Sequence, residues 1–489
     1  MTQHNTVNES SSKIEQHQLF LRHSKFTFMG VFALNNFQSD NLYFSKPVAI
    51  NLIKLGAPLT LVYACDIGMH TAAMLVAGSF STEELAAFGF ATTLLISTVI
   101  ALFALLSAII PITANLKGAG DLASELPSLL RSAVVVALLL SVMAVGALKF
   151  LALMLPFISP SSAISSLVEQ YLRILIWIIP LELLAFAVIA ISNGAGRTFW
   201  PAAINVVAFL TMLLAIWVFV FGNAGFVEMG SAGIAYSFLF AILAKCILSV
   251  LLLFQSDFQS ITFASLTRSL DMPYFRRIFR VGLPIGFNEG SLYLYVALLV
   301  VFIASMGAEQ LAAHNIAHNV FTLSHVFSLG FMGATSILVG QRLGAGDMAG
   351  MKSVRSTSTQ VMLLASCPML LAFLFLGEEI AAAYSIDGAT ETIWLQICYC
   401  LLFLKLLDDV TLAGQGFLVG IEQTRTVFLG RVAGLWLVAM PMGYLLSSQY
   451  NVLGFWIGLA VGTALTLLWF VRAASIYLAR HNPGLVARG

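Results

Sequence analysis

Five acidic residues lie in long apolar stretches of this chain: Asp66, Glu182, Glu289, Asp408 and Asp409. An aspartate at the centre of a membrane helix costs roughly 2.5–3.5 kcal/mol on insertion scales, so each acid needs a partner or a task. Two carboxylates that approach one another in a medium of low dielectric cannot both stay charged, and one of them holds a proton near neutral pH. Glu289 and Asp408 are expected to form such a pair in the second half and to bind a proton or a sodium ion, and cation coupling is assigned to Asp408, Glu289, Glu182 and Asp66. The structural alternative is a protonated acid that joins two helices by a hydrogen bond.

Other side chains complicate this assignment. Lys405 stands three residues before Asp408 and four before Asp409, within reach of either on one helix face. A Lys405–Asp409 pair would leave Asp408 free, whereas a Lys405–Asp408 pair would neutralise the site. Lys245 and Lys149 are expected to snorkel from span ends. His314, His318 and His325 fall within about 40° of one another at helical spacing, a single stripe. The pattern supplies no third zinc ligand, so no metal is expected, and the stripe is read as cavity lining or interhelical hydrogen bonding. His70 follows Asp66 by one helical turn and is a weak candidate partner for it. Asn288, His314, His318, Lys405 and Asp409 make up the expected substrate cleft. The five cysteines lie in apolar runs without a C-x-x-C pair and read as small packing residues.

The elements that must hold these groups are membrane helices. The chain has 489 residues, 59% hydrophobic and only 10% charged, against about 25% charged in soluble proteins. A net charge of +1 gives no nucleic-acid footprint. A spanning helix needs about 20 mostly apolar residues. Twelve such runs occur, near 50–77, 85–112, 132–155, 168–193, 201–221, 232–254, 281–304, 311–338, 359–376, 392–418, 427–446 and 453–474. Every second connection lacks Lys and Arg entirely, while the alternate ones carry Lys117, Arg131, Arg197, Arg276, Arg277, Arg342 and Arg355 among others. The basic side is expected to be cytoplasmic, with both termini there. Residues 1–46 are expected to form a flexible cytoplasmic tail, since they lack a basic start followed by a long apolar run.

A repeat organises the spans. Leu55-Gly56-Ala57-Pro58 returns 226 residues later as Val281-Gly282-Leu283-Pro284, and Leu85-Ala86-Ala87 as Leu311-Ala312-Ala313. Gly118-Ala119-Gly120-Asp121 returns as Gly344-Ala345-Gly346-Asp347, and Gly194 as Gly420. With six spans per copy, the halves are parallel repeats about an axis along the membrane normal. The expected organisation is an N-lobe over 47–254, a cytoplasmic linker over 255–280, a C-lobe over 281–475 and a tail over 476–489. Glu182 and Asp408 obey the offset; Asp66 and Glu289 do not. Glu289 and Asp408 lie roughly 12 and 15 Å from the cytoplasmic ends of their spans, near the midplane. The glycine-rich stretches follow helices rather than strands and read as turns, not phosphate cradles. Pro58, Pro180 and Pro284 are expected to bend their spans.

Val281-Gly282-Leu283-Pro284, Leu311-Ala312-Ala313-His314 and Val339-Gly340-Gln341-Arg342-Leu343-Gly344-Ala345-Gly346-Asp347 resemble the second half of multidrug and toxic compound extrusion (MATE) transporters, and Lys117-Gly118-Ala119-Gly120 resembles the first-half counterpart. The resemblance covers about residues 47 to 475. It implies an all-α membrane protein of twelve helices in two lobes around a cleft. It further implies export of organic, cationic or amphipathic compounds by proton or sodium antiport, without a cofactor, by a monomer in the bacterial inner membrane. Asp408 falls on the acidic position of span 10 used by the sodium-coupled branch. Leu292 takes the place of that branch's span 7 glutamate, one turn after Glu289, and Leu404 that of its span 10 tyrosine. Ala73 stands where the family often has a span 1 aspartate. A lipid-linked saccharide flippase of the related superfamily is the main alternative, but its cleft should carry arginine for pyrophosphate, whereas the deep charges here are mostly acidic. Arg173, beside Glu169, is the one arginine read as deep. An intramembrane enzyme using His314, His318 or Asp408 is a second alternative, against which the full-length duplication argues.

Overall fold

The computed structural model describes residues 43–158, 162–253, 271–384, 386 and 388–481. Most of the expected N-terminal tail, the linker from 255 to 270 and the end of the C-terminal tail lie outside the described residues. The described residues from Phe44 onward form one packed unit.

Twelve helical segments of membrane length follow one another, and no strand occurs among the described residues. They are α1 (Lys46–Phe80), α2 (Thr82–Ala119), α3 (Leu122–Ile158), α4 (Ser162–Leu175 continued by Ile178–Gly194), α5 (Phe199–Val220) and α6 (Ala232–Leu252). The second set is α7 (Met272–Ala304), α8 (Ala308–Gly344), α9 (Met348–Phe375), α10 (Gly388–Gly420), α11 (Thr424–Tyr450) and α12 (Val452–Arg480). Ten are apolar enough to cross a membrane on length and hydropathy alone, and the bent pair forming α4 makes an eleventh. The remaining helix, α10, has ample length at 33 residues but carries Lys405, Asp408 and Asp409 within one stretch. Its charges, not its size, set it apart.

The prolines act unevenly. Pro58 and Pro284 sit inside the continuous helices α1 and α7. In α4 the break comes at 176–177, just before Pro180, with a bend of 41°. Wide π-helical turns interrupt α5 at Ile216–Val220 and α11 at Ala433–Ala439. Both glycine-rich turns behave as helix ends: Gly120 and Gly346 take left-handed φ values of 86° and 69° after α2 and α8, the conformation glycine adopts at least cost.

The repeat governs how the halves meet. Gly56 of α1 lies so close to Phe331 of α8 that a Cβ would sit 2.9 Å from its ring. At the equivalent positions, Gly282 of α7 lies against Leu105 of α2. Likewise Gly118 abuts the backbone of Gln341, and Gly344 abuts Asn115. Within the halves, Gly194 packs on Ile110 and Thr113 as Gly420 packs on Ser336 and Val339. All six contacts keep the 226-residue offset read from the sequence. The cores also cross between halves: Val48, Leu52 and Leu59 of α1 pack with α8, α9, α10 and α12, and Ile278, Val281 and Ile285 of α7 pack into the core of the first half.

These contacts cluster at the end of the bundle that bears the basic connections. A polar tie reinforces them: Arg277 of α7 donates to Glu422 at 2.5 Å and to Asn115 Oδ1 at 3.2 Å. Toward the other end an open groove of about 510 Å³ lies between α1 and α8, lined by Thr60, Ala64, Ile67, Gly68, Leu323 and Phe327.

Because Gly118 and Gly344 meet backbone rather than a movable side-chain tip, adding bulk there must push the halves apart. Gly118→Val and Gly344→Val are each expected to cost about 1–3 kcal/mol, read as a lowered melting temperature in detergent. Gly146→Val, where nothing lies within 4 Å, serves as the unaffected control.

Candidate functional site

Two polar centres interrupt the apolar interior. In the first half, Asp66 of α1, Glu182 of α4 and Lys245 of α6 converge. Lys245 Nζ donates to Glu182 Oε1 at 2.6 Å and lies 3.9 Å from Asp66 Oδ1. The Lys245 side chain is only 4% exposed, Glu182 17% and Asp66 42%. This corrects the expectation that Lys245 snorkels: it is buried and neutralises the acids. Ala241 and Ser249, one turn to either side of Lys245 on the buried face of α6, are small and leave room for the long side chain. Two carboxylates thus face one ammonium, and Asp66 is the more accessible of the two. Lys149 is exposed, as expected. His70 stacks on Phe238 at 5.0 Å between ring centroids, and no contact between its side chain and Asp66 is seen.

In the second half Asp408 and Asp409 share α10 but not an environment. Asp409 is fully buried and saturated: Lys405 Nζ donates to its Oδ1 at 2.5 Å, Ser328 Oγ donates to the same oxygen at 2.6 Å, and Ser366 Oγ donates to Oδ2. Lys405 also donates to Ser328 at 2.7 Å. Lys405 and Asp409 were expected in the substrate cleft; at 1% and 0% exposure they form a closed network instead. Removing one member of such a network leaves the other as an unpaired buried charge. Lys405 touches open space only at the floor of a small side cavity between α8, α9 and α10, walled by Phe327, Phe331 and Met369.

Asp408 turns to α8. Its Oδ2 lies 2.7 Å from His325 Nε2, off the line of an ideal hydrogen bond, and has no other hydrogen-bond partner. Nδ1 of the same ring contacts the carbonyl of Phe321 at 3.0 Å. The Lys405–Asp409 pair therefore does leave Asp408 available, but His325 takes it up.

Glu289 of α7 accepts from Asn288 Nδ2 at 3.0 Å. Asn288, expected to line the cleft, is buried and serves as a partner of the acid. Glu289 and Asp408 were expected to pair directly. No contact joins them among the described residues; each instead lies in electrostatic range of Arg431 of α11. Arg431 donates to Gln415 Oε1 at 2.8 Å and enters just before the wide turn at Ala433. From α1, Tyr63 lies in range of both Asp66 and Glu289 and so connects the two centres.

The remaining histidines divide. His314 is buried beside Trp456, 5.5 Å between centroids, with both ring nitrogens unpartnered, so it belongs to the core rather than the cleft. His318, half-buried, stands 6.1 Å from it. Arg173 does pair with Glu169, at 2.9 Å, but the pair is exposed. Counting from the helix ends finds what was missed: Lys245 lies seven residues from the end of α6, roughly 10 Å in. Arg431 lies seven residues into α11, at similar depth.

Such an arrangement, a duplicated twelve-helix membrane bundle with charged centres at mid-depth in each half, defines a class of multi-pass membrane protein. The profile of the MatE family matches residues 58–218 and 284–445, two stretches that begin 226 residues apart. The chain belongs to that family. Among curated relatives, "Multidrug resistance protein NorM" of Vibrio cholerae serotype O1 is 27% identical over 439 residues, covering 86% of this chain and 94% of the relative. "Multidrug resistance protein MdtK" of Pectobacterium atrosepticum is 26% identical over 440 residues, covering 87% and 94%. The fold is that of a solved multidrug resistance MATE family transporter in an outward-facing conformation, with a TM-score of 0.80, 16% identity and coverage of 90% and 99%. The Vibrio cholerae MATE transporter VcmN in its bent form gives a TM-score of 0.79 at 14% identity, covering 89% and 98%.

If Lys245 compensates the first-half acids, Lys245→Met should cost about 3–5 kcal/mol of stability, the scale for stranding a buried charge. Adding Glu182→Gln to that variant should recover more than half of the loss. Thermal unfolding in detergent measures both.

Proposed function

We propose that this chain exports organic cations or amphipathic compounds across the bacterial inner membrane, driven by an inward flow of protons or sodium ions. The observation that carries the reading is the repeat-symmetric closure at one end of the bundle beside an open groove at the other. Halves that meet through equivalent glycines can re-form an equivalent contact elsewhere after rocking, which is what alternating access about a central site needs. The basic connections lie at the closed end, so the positive-inside rule makes this an outward-open form with both termini cytoplasmic. The relatives' multidrug resistance names support the same reading.

The two carboxylates of the Asp66–Glu182–Lys245 cluster against its one ammonium favour a cationic cargo, and the open apolar groove favours an amphipathic one. A pyrophosphate-binding flippase cleft gains no support. Arg431, the arginine nearest the deep acids, is engaged by Gln415, Glu289 and Asp408. Membership of a transporter family and the absence of any need for a duplicated scaffold in catalysis weigh against an intramembrane enzyme. A monomer without a cofactor suffices for the mechanism, with a small organic substrate and the bilayer as its only partners.

Expression in a pump-deficient bacterial host should lower steady-state accumulation of a cationic dye several-fold, and Asp408→Asn should abolish the effect. Normal export by both Asp408→Asn and Glu289→Gln, at wild-type protein levels, would sink the carboxylate mechanism.

A further inference from the structure

Every acid deep in this bundle already faces a cation supplied by the chain. Lys245 holds Glu182 and stands beside Asp66, and Lys405 holds Asp409. Arg431 lies in electrostatic range of both Glu289 and Asp408. A sodium ion needs several oxygen ligands gathered around an open position, and a lysine ammonium occupies that position at Glu182 and at Asp409. One of the cations differs in kind. The partner of Asp408 is an imidazole, the only side chain among them that gains and loses its charge near neutral pH without being displaced.

From this geometry we infer that His325 and Asp408 form the proton-binding site that couples transport, and that the driving ion is a proton rather than sodium. The inference rests on the export reading above. Nδ1 faces the Phe321 carbonyl at 3.0 Å; a carbonyl oxygen only accepts, so Nδ1 carries a hydrogen. Nε2 then faces Asp408 Oδ2 at 2.7 Å. A bare nitrogen lone pair against a carboxylate oxygen at that distance is repulsive, so the contact holds only with one further proton in the dyad. The backbone of α8 thus fixes the tautomer, and the carboxylate of α10 reads the charge on the other nitrogen. The proton balance is simple. In the outward-open form a proton from external water binds Nε2, giving an imidazolium–carboxylate pair that joins α8 to α10. After the bundle opens to the other side, Nε2 releases that proton to cytoplasmic water. Asp408 is then opposed by Arg431 alone, and the α8–α10 contact is lost.

The charged groups around the ring are accounted for on each neighbouring helix. Asp408 and Lys405 face it from α10, with Lys405 committed to Asp409. His318 lies on α8 itself, two turns toward the outer end, with His314 one turn beyond. Arg431 of α11 reaches Asp408, and Glu289 of α7 in turn faces Arg431. Among the described residues α1, α2, α9 and α12 bring no charge to the ring. Among the described residues the dyad is therefore the deep ion pair whose base itself titrates near neutral pH.

The test uses the full chain reconstituted in liposomes, with ethidium as the cargo, driven by an imposed pH gradient or an imposed sodium gradient. The expected result is ethidium accumulation at least tenfold above the no-gradient level with the pH gradient and none with sodium. In His325→Gln the pH-driven accumulation should vanish while ethidium–ethidium exchange persists, which shows that the variant is folded and binds cargo. Accumulation driven by sodium, or pH-driven accumulation in His325→Gln above half the wild-type level, overturns the inference. If His325→Gln loses exchange as well, or if wild type moves no ethidium under any gradient, ¹⁵N-histidine spectra of detergent-solubilised wild type and Asp408→Asn decide. A ring signal absent from His325→Gln, whose titration moves on Asp408→Asn, supports the dyad; one indifferent to it overturns the dyad. Failure of wild-type transport under every gradient counts against the export reading separately.

Discussion

A carboxylate in the hydrocarbon region must be neutralised by something, and which cation does it decides what each part of this molecule can do. Transfer of an unpaired charge into a low-dielectric interior costs several kcal/mol even after relaxation, so the chain supplies counter-charges of its own. Lys405 and Asp409 are sealed with Ser328 and Ser366 on helices α8, α9 and α10. That network pins three helices and leaves no charge to move. Lys245 with Glu182 and Asp66 joins α1, α4 and α6 in the same way but leaves one carboxylate surplus. At Asp408 part of the counter-charge is conditional, because an imidazole contacts it while Arg431 acts from a distance. The gradation from permanent to conditional pairing separates structural charge from working charge within a few residues of one helix.

The scaffold is built to make such a conditional contact matter. Helices α1 and α7 pack partly into the opposite half, and α2 and α8 meet across the interface through glycines that admit no Cβ. Interfaces of this kind are close-packed and therefore have discrete arrangements rather than a continuum. Helix α8 takes part in both systems. Its inner half carries Phe331, Gln341 and Gly344 of the closed interface, and its middle carries His325. A change in the α8–α10 attraction at His325 is thus applied to the same rigid helix that holds the halves together near Gly344.

Much of this was legible in the sequence, for identifiable reasons. Twelve apolar runs and a gapless offset of 226 residues fix the topology and even the pairing of interface glycines, because close helix contacts constrain residue size at set positions. The acids were found because charge is rare in such segments. Their partners were harder. Lys405 could be matched to Asp409 by its spacing on one helix, whereas Lys245–Glu182, His325–Asp408 and Arg431–Glu289 involve residues 63, 83 and 142 positions apart. Helical periodicity says which face a residue occupies and nothing about which face of another helix it meets. For the same reason His314 and His318, plausible as cleft residues from the stripe, proved less telling than His325, the member that meets an acid from α10.

The repeat also explains why the two centres differ. Glu182 and Asp408 occupy equivalent positions, so duplication placed one acid at mid-depth in each half. The counter-charges arose outside the repeat: the equivalent of Lys245 is Val471, and that of His325 is Val99. With identical partners, the two halves would gain and lose charge together, and a proton bound in one would offer no contrast with the other. A permanent ammonium against Glu182 and a titratable imidazole against Asp408 divide the tasks. Under the proposed coupling the first half keeps a fixed ammonium beside two carboxylates, and the second presents a charge whose strength depends on proton occupancy. Tyr63, in range of both Asp66 and Glu289, lies where a bound cation would feel both. Such coupling needs no direct contact between cargo and proton, since protonation of His325 would weaken the negative field that a cationic cargo meets from the second half.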